Sequence, residues 1–527
     1  MLKRTIALML VLLMVVLTGC GKTDNTETPQ KPQNVTETKE SYELQLLYCA
    51  NDTLNPYKTI SKLNAELGLL LFDSLFKYDN EFETIYVLAT SLETVDNVCT
   101  ITLRNAKFTD GSTVTADDVV YSYNLALQSE RFKGSLYEIS SVVAVDTSHI
   151  AFTLNCTDPY FEKLLTFPII KAGSDTLKNE DNVELPPIGS GRYVFDEKNA
   201  KLLKNEGHYS ADNNITEISL INAPDSESME HYVEIGATDI YFAEMTDDTI
   251  IRMSSKKVSV NQTNLVYIGI NHNYSPLKSD AVRFAISAAL SRKDIATKAF
   301  YANATAATGF FHPSFKVVSD YQSINPLTDE KISIENLANI GYNELNTDRY
   351  YENDNGKILE FTLLVNKDSQ SKVSAANLIA EQLANVGIKI TVNALGINEY
   401  FSALQNGHFQ LYLGEVKLLP NMDMRSLVIN GGSAAYGMVS PPIYYNEDGS
   451  ISTQYFDNET SYVSVVNGFY SGKNTIIDVA SALQSSMPII PLVYKNSLVF
   501  YSKDIEDVYS PSYSDIFISI DKYIVKK

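Results

Sequence analysis

The residues best suited to chemistry are present in this sequence, but not at the spacings that chemistry needs. The histidines are His149, His208, His231, His272, His312 and His408, and no two stand four apart. That spacing would put two imidazoles on one helix face as a zinc pair. Ser254-Ser255-Lys256-Lys257 contains Ser-x-x-Lys without a Lys-Thr-Gly partner. Gly189-Ser190-Gly191 has the glycine spacing of neither a nucleophile elbow nor a dinucleotide turn. Gly472-Lys473 lacks the upstream glycine of a phosphate loop. The expectation is a chain without catalysis, cofactor or metal, whose side chains recognise something rather than transform it.

Charge narrows the partners. The 42 Lys and Arg face 64 Asp and Glu, a net charge of −22. Nucleic acid is excluded, because phosphate binding needs basic surface. The 527 residues are 44% apolar, enough for a folded body of three or four domain-sized units. Tyr is abundant at 33 residues while Trp is absent. Lys3 and Arg4 precede an unbroken apolar run from Ile6 to Leu17. That run is too short to span a bilayer and fits the core of an export signal. Leu17-Thr18-Gly19-Cys20 resembles the bacterial lipobox, which implies removal of residues 1–19 and acylation of Cys20. Lys22 to Glu40 has Val35 as its only aliphatic residue and reads as a solvated tether over 20–41. The acidic body would be repelled by anionic head groups, so anchoring rests on lipid. The expected location is the outer face of the cytoplasmic membrane, on the extracellular or periplasmic side.

Strands and helices alternate through the body. Glu43 to Tyr48 and Val98 to Arg104 read as strands, and Leu67 to Phe76 as a helix. Thr115 and Asp118 form a capping box ahead of the stripe Val119, Tyr123 and Leu127. Val266 to Ile270 is a strand, followed by a helix over 280–290 and a second capping box at Ser291–Asp294. Ile358 to Val365, a helix over 373–386, Gly387 and the alternating Ile388, Ile390 and Val392 form a βαβ-like unit. Cys49, Cys99 and Cys156 remain after Cys20. Cys99 and Cys156 would share a core face if their strands pair antiparallel, as buried thiols in preference to a disulfide.

A resemblance emerges from the motifs. Thr102-Leu103-Arg104-Asn105-Ala106-Lys107-Phe108-Thr109-Asp110-Gly111 through Thr115-Ala116-Asp117-Asp118-Val119-Val120-Tyr121-Ser122 is very similar to a block of the peptide/nickel (family 5) extracellular solute-binding proteins. Phe72–Tyr78, Leu88–Ser91, Pro187–Tyr193, Gly236–Ile240, Val282–Arg292 and Met487–Leu492 resemble further family motifs in family order. The resemblance implies an α/β, two-lobed, Venus-flytrap fold of three discontinuous domains. Residues 42–66, 186–268 and 488–527 would form domain I and 67–185 domain II of lobe one; 269–487 would form domain III, lobe two. It implies a monomer that traps a small solute of peptide kind and delivers it to an ABC permease and ATPase complex. A sensory or scaffold lipoprotein using the same fold without transport is the alternative.

The resemblance weakens where ligand would bind. Peptide-binding relatives carry an Asp for the peptide ammonium after a Gly-Trp stretch. Here Glu415 takes the place of Trp and Leu418 that of Asp. Glu415 or Asp423 could supply a carboxylate instead. Ser433 to Gly472 is rich in Gly, Ser, Asn and Tyr (Tyr436, Tyr444, Tyr445, Tyr455, Tyr462 and Tyr470), either a recognition surface or a plain loop. By position relative to the family's cleft, the expected ligand-binding residues are Asn64, Tyr267, Asn271, His272, Glu415, Asp423, Arg425 and Tyr436.

Overall fold

A computed structural model describes residues 42–210, 214–244, 255–438, 461–506 and 511–525. The signal segment, Cys20, the tether, Ser254, Tyr444, Tyr445 and Tyr455 lie outside the described residues.

Strand and helix alternate as the apolar periodicity requires, and the strands gather into three main sheets. In the first, Tyr42–Tyr48 pairs parallel with Ile215–Asn222, followed by Lys201–Lys204 and Tyr193–Asp196 in antiparallel order. The second is antiparallel, in the order Ala89–Val95, Val98–Leu103, His149–Leu154, Ile139–Ala144. The third runs Ile240–Ala243, Ile489–Tyr501, Lys256–Ile270, Leu411–Lys417, Glu360–Asn366, Lys389–Leu395. Each sheet carries its own apolar core. Leu44, Leu70 and Ile218 belong to the first, Ile101, Val119 and Phe152 to the second, Ile268, Leu363 and Ile490 to the third. Every residue of the Ile489–Tyr501 strand is buried, including Lys495. Pro491, which cannot donate to a ladder, sits where the pairing register with Lys256–Ile270 shifts.

Local signals placed several elements. Asp118 Oδ2 accepts from the Thr115 backbone N–H at 2.9 Å and from its hydroxyl at 2.7 Å, starting the helix Ala116–Ala126. Leu127 departs from the expected stripe: it lies past the last turn and is exposed. Glu360–Asn366, the helix Gln370–Asn385 and Lys389–Leu395 form the parallel βαβ unit, with Gly387 at φ +76° between helix and strand.

Other boundaries differ. The helix expected over 67–76 spans Lys62–Leu71, and Phe76–Tyr78 is a strand. Gly189 and Gly191 press against the end of that helix; a Cβ on Gly191 would lie 2.3 Å from the Leu71 carbonyl carbon. Phe72 then turns extended, and the apolar run continues in a new element. Ser291 accepts from the Asp294 N–H at 3.4 Å, but the helix there is short and widens into a π turn at Ile295–Ala299. Tyr462 opens a helix, Tyr462–Phe469, inside the segment read as either a recognition surface or a plain loop. Val98–Leu103 and His149–Leu154 do pair antiparallel, and Cys99 is buried opposite Phe152. Cys156 lies beyond the strand end and off that core face, and Cys49, Cys99 and Cys156 are free thiols.

Candidate ligand-binding site

The Leu411–Lys417 strand carries the site. It is zipped antiparallel to Lys256–Ile270, from Ile270 opposite Leu411 to Asn264 opposite Lys417. Thr263 holds the next residue at both ends: its carbonyl accepts from the Leu418 N–H at 3.1 Å, and its hydroxyl donates to the Leu418 carbonyl at 2.5 Å. The chain then turns through Met422, at φ +61°, into the short helix Arg425–Val428.

Two cavities flank this turn and share Gly134, Lys417, Leu418 and Leu419 in their walls. The larger, about 800 Å³, is lined by Tyr137, Asp423, Arg425 and the Gly431-Gly432-Ser433 loop. The smaller, about 540 Å³, is lined by Glu66, Arg131, Glu244, Gln262, Lys417 and Tyr513 among others. Both lie within the 300–1,000 Å³ range of small-molecule sites.

Side chains bridge the larger cavity's edge. The Arg425 guanidinium donates to Glu138, to Asp423 Oδ2 at 2.9 Å and to the Tyr137 hydroxyl at 3.2 Å. It also stacks 3.5 Å from the Tyr470 ring centroid. The Tyr137 hydroxyl donates to Asp423, and Asn421 Nδ2 donates to Asp158 Oδ2 at 2.8 Å. Burial raises both acids. Asp158 is pushed up to about 6, against the hydrogen bonds from Asn421 and the Tyr160 N–H, while Asp423 moves in the same direction. Burial also pushes the Cys156 thiol up to about 12, so it is not a reactive thiolate.

In the smaller cavity Lys417 Nζ pairs with Glu244 Oε1 at 2.9 Å, contacts the Tyr513 hydroxyl at 2.6 Å and lies 4.3 Å over that ring. Burial opposes ionisation of Glu244, yet Lys417 holds its carboxyl below the ordinary value.

The residues expected from sequence divide. Asp423 and Arg425 come together on the larger cavity. Neither cavity wall includes Asn64, Tyr267, Asn271, His272, Glu415 or Tyr436. Asn64 staples the chain after the first strand: it accepts from the Cys49 N–H at 2.8 Å and donates to the carbonyls of Cys49, Asp52 and Thr53. Tyr267 is buried, with its hydroxyl 3.3 Å from that of Tyr412, and Tyr436 packs edge-on to Tyr412. Asn271 donates to the Phe409 carbonyl at 2.8 Å. His272 Nε2 donates to the Pro488 carbonyl at 2.8 Å, and burial lowers its pKa. Glu415 sits between Lys372 at 2.8 Å and Lys495 at 3.0 Å. Burial pushes its carboxyl up, but the two lysines together hold it below the ordinary value. Glu415 and Asp423, the alternatives offered for a ligand cation, therefore both already face cations of the chain. Sequence reasoning passed over Glu66, Gln262 and Lys417. For Glu66 a signal existed: it is the one carboxylate in the helix sequence KLNAELGLLL.

Residues 83–436 match the family described as bacterial extracellular solute-binding proteins, family 5 middle. The chain is 25% identical over 414 residues to the oligopeptide-binding protein AppA of Bacillus subtilis, covering 74% of this chain and 76% of the relative. It is 23% identical over 456 residues to the glutathione-binding protein GsiB of Salmonella choleraesuis, covering 83% and 82%. Among solved structures it is similar to MppA, a periplasmic murein tripeptide binding protein in an unliganded open form. The TM-score is 0.70 at 19% identity, covering 92% of this chain and 98% of the other. A nickel ABC transporter structure from Bacillus halodurans matches with a TM-score of 0.70 at 17% identity, covering 92% and 100%.

Proposed function

This chain belongs to the bacterial extracellular solute-binding proteins of family 5, solute-binding components of ABC importers rather than enzymes, and from that premise we propose that it captures an oligopeptide for import. Its fold is two-lobed α/β. The observation that carries the reading is the pair of cavities that share Gly134 and Lys417–Leu419 in their walls. Together their walls mix apolar residues such as Phe72, Leu418 and Ile429 with charged ones such as Arg425, Lys417 and Glu244, suited to a backbone with varied side chains. Ligand that touches both faces of such a cleft favours the closed arrangement of the lobes, and the closed form is what a permease complex would receive. The similarity to an oligopeptide-binding relative supports the peptide class over a bare metal ion.

The protein is held by lipid at Cys20 on the outer face of the membrane and acts as a monomer. Among the described residues no helix is long and apolar enough to cross a membrane. Replacing Cys20 with Ala should abolish incorporation of labelled fatty acid and release the protein from the membrane fraction. Retention of the variant on membranes would overturn the anchor.

The deciding experiment is thermal denaturation with pools of tripeptides to octapeptides. A ligand at a hundred times its Kd stabilises by about 2.7 kcal/mol. If no pool shifts the melting temperature, the peptide reading falls and a sensory or scaffold role takes its place.

A further inference from the structure

The smaller cavity neutralises its own charges. Seven charged side chains stand in its wall. Lys417 is paired with Glu244 at 2.9 Å, Lys77 with Asp515 at 2.7 Å, and Glu130 with Lys133. Lys62 donates to the Phe242 carbonyl at 3.1 Å and lies 4.7 Å over that ring. Burial pushes the Glu66 carboxyl up to about 8, opposed by Lys62 and Arg131 and reinforced by Glu244, so at pH 7 it keeps its proton and carries no charge. Arg131 is exposed, and water serves its guanidinium. A charged ligand group placed here would have to shed its own water and break a pair that the chain already makes.

The same wall offers apolar surface that nothing covers. Ala65, Leu69, Phe132, Pro168, Leu419 and Tyr513 all line the 540 Å³ space and are only half-buried. They come from separate elements, among them the helix Lys62–Leu71 and the turn after the Leu411–Lys417 strand. Gly134 stands in the walls of both cavities. A Cβ on Gly134 would meet nothing within 4 Å, and its φ lies outside the left-handed region, so neither packing nor backbone requires glycine there. What the missing side chain leaves is open space on the wall that the two cavities share.

We propose that the smaller cavity receives a bulky uncharged apolar group of the ligand, an aromatic or branched aliphatic side chain, and that Gly134 is a specificity-determining residue whose missing side chain leaves the room for it. The inference rests on the solute-capture reading and specifies the class of solute which that reading leaves open. The gain comes from covering the half-buried apolar wall, and scales with the apolar area the ligand brings.

Two walls can be built inward to test this. Gly134 lies in the short turn Lys133–Ser135, and Ala65 lies on the helix Lys62–Leu71. A leucine at either position adds apolar volume without adding charge, so it takes space from the ligand while leaving the chemistry of the wall unaltered.

The test uses trialanine and four pools of tripeptides derived from it, in which Phe, Leu, Lys or Glu replaces Ala at each position in turn. Each is titrated calorimetrically into the full chain at pH 7. The expected result is that the Phe or the Leu pool binds about tenfold or more tightly than trialanine, while the Lys and Glu pools do not. Which of the first two binds tighter tells whether the group is aromatic or aliphatic. Gly134→Leu and Ala65→Leu should each bring the preferred pool to within about threefold of trialanine and leave trialanine itself unchanged. Melting of each unliganded variant reports that it folds. Binding of the Lys or Glu pool as tight as that of the Phe and Leu pools, or no advantage of Phe and Leu over trialanine, overturns the apolar site while leaving peptide capture intact. A preference that survives Gly134→Leu, or an equal loss for every peptide in that variant, overturns the role of Gly134. Absence of binding by every peptide overturns capture and the apolar site together.

Discussion

At the scale of single residues, the cleft concentrates ionisable groups that burial has displaced from their ordinary behaviour. Asp158 shows the consequence for stability. Its carboxyl titrates at about 6 in the folded chain against 3.8 when unperturbed, so between those values the folded state holds a proton that the unfolded state has lost. Stability contributed by this group therefore falls as pH rises from about 4 to 6 and stays low above. Asp158→Asn keeps an oxygen to accept from Asn421 and removes the charge. It should raise the melting temperature at pH 7.5, with a gain that fades to nothing below pH 4. A gain of the same size at pH 3.5 would rule out this origin. Arg425 is the counterpart. Glu138 is almost wholly buried at 1% side-chain exposure and depends on that guanidinium. Arg425→Met should cost about 3 kcal/mol in urea denaturation, and much less in a Glu138→Gln background. Equal costs in both backgrounds would show that packing on Tyr470, not charge, is what Arg425 supplies.

At the scale of elements, periodicity and capping found what local chemistry controls. The Ala116–Ala126 helix begins where Thr115 and Asp118 announce it, and the βαβ unit follows the apolar spacing of residues 358–392. The Lys62–Leu71 helix was misplaced because an apolar run does not say where a helix yields to a strand; Gly189 and Gly191, more than a hundred residues away, press on that boundary. The binding residues were least legible for a related reason. Asn271, His272 and Tyr267 were expected in the cleft from the resemblance, but the Asn271 amide and the His272 ring donate to the Phe409 and Pro488 carbonyls, and the Tyr267 hydroxyl meets that of Tyr412. Glu66 had a signal, as the one carboxylate of its helix, but where that carboxylate packs was not legible there. The Tyr surplus acquires a location in the same sheet. Gly269 and Gly414 make room for the rings of Tyr412 and Tyr267; a Cβ on Gly414 would stand 2.6 Å from the Tyr267 Cζ. Gly414→Ala should accordingly destabilise by about 1–3 kcal/mol through overpacking, measured by chemical denaturation. Addition of Tyr267→Phe should not relieve it, since the ring carbon and not the hydroxyl is the nearest obstacle.

At the scale of the whole molecule, we propose that contacts between two distant stretches of the chain decide how easily the two-lobed fold opens. Residues 137–160 meet residues 315 and 421–470 through Tyr137 to Asp423, Arg425 to Glu138, Asn421 to Asp158, the Thr157 N–H to the Tyr470 carbonyl at 2.9 Å, and Tyr160 edge-on to Phe315 at 5.3 Å. These contacts are made between groups of the chain itself, so ligand need supply only the difference between the open and closed states. Weakening them should shift the unliganded population towards open while leaving the walls of the smaller cavity in place. The double variant Tyr137→Phe with Asn421→Ala removes a polar link to Asp423 and one to Asp158 without deleting a charge. Its radius of gyration in small-angle scattering should exceed that of the unaltered chain when no ligand is present, and the two should coincide once a bound peptide saturates the cleft. Affinity should fall by the same free energy that closure has lost, because binding must then supply it. An unchanged radius together with weakened binding would show that these residues touch the ligand, and that closure is governed elsewhere.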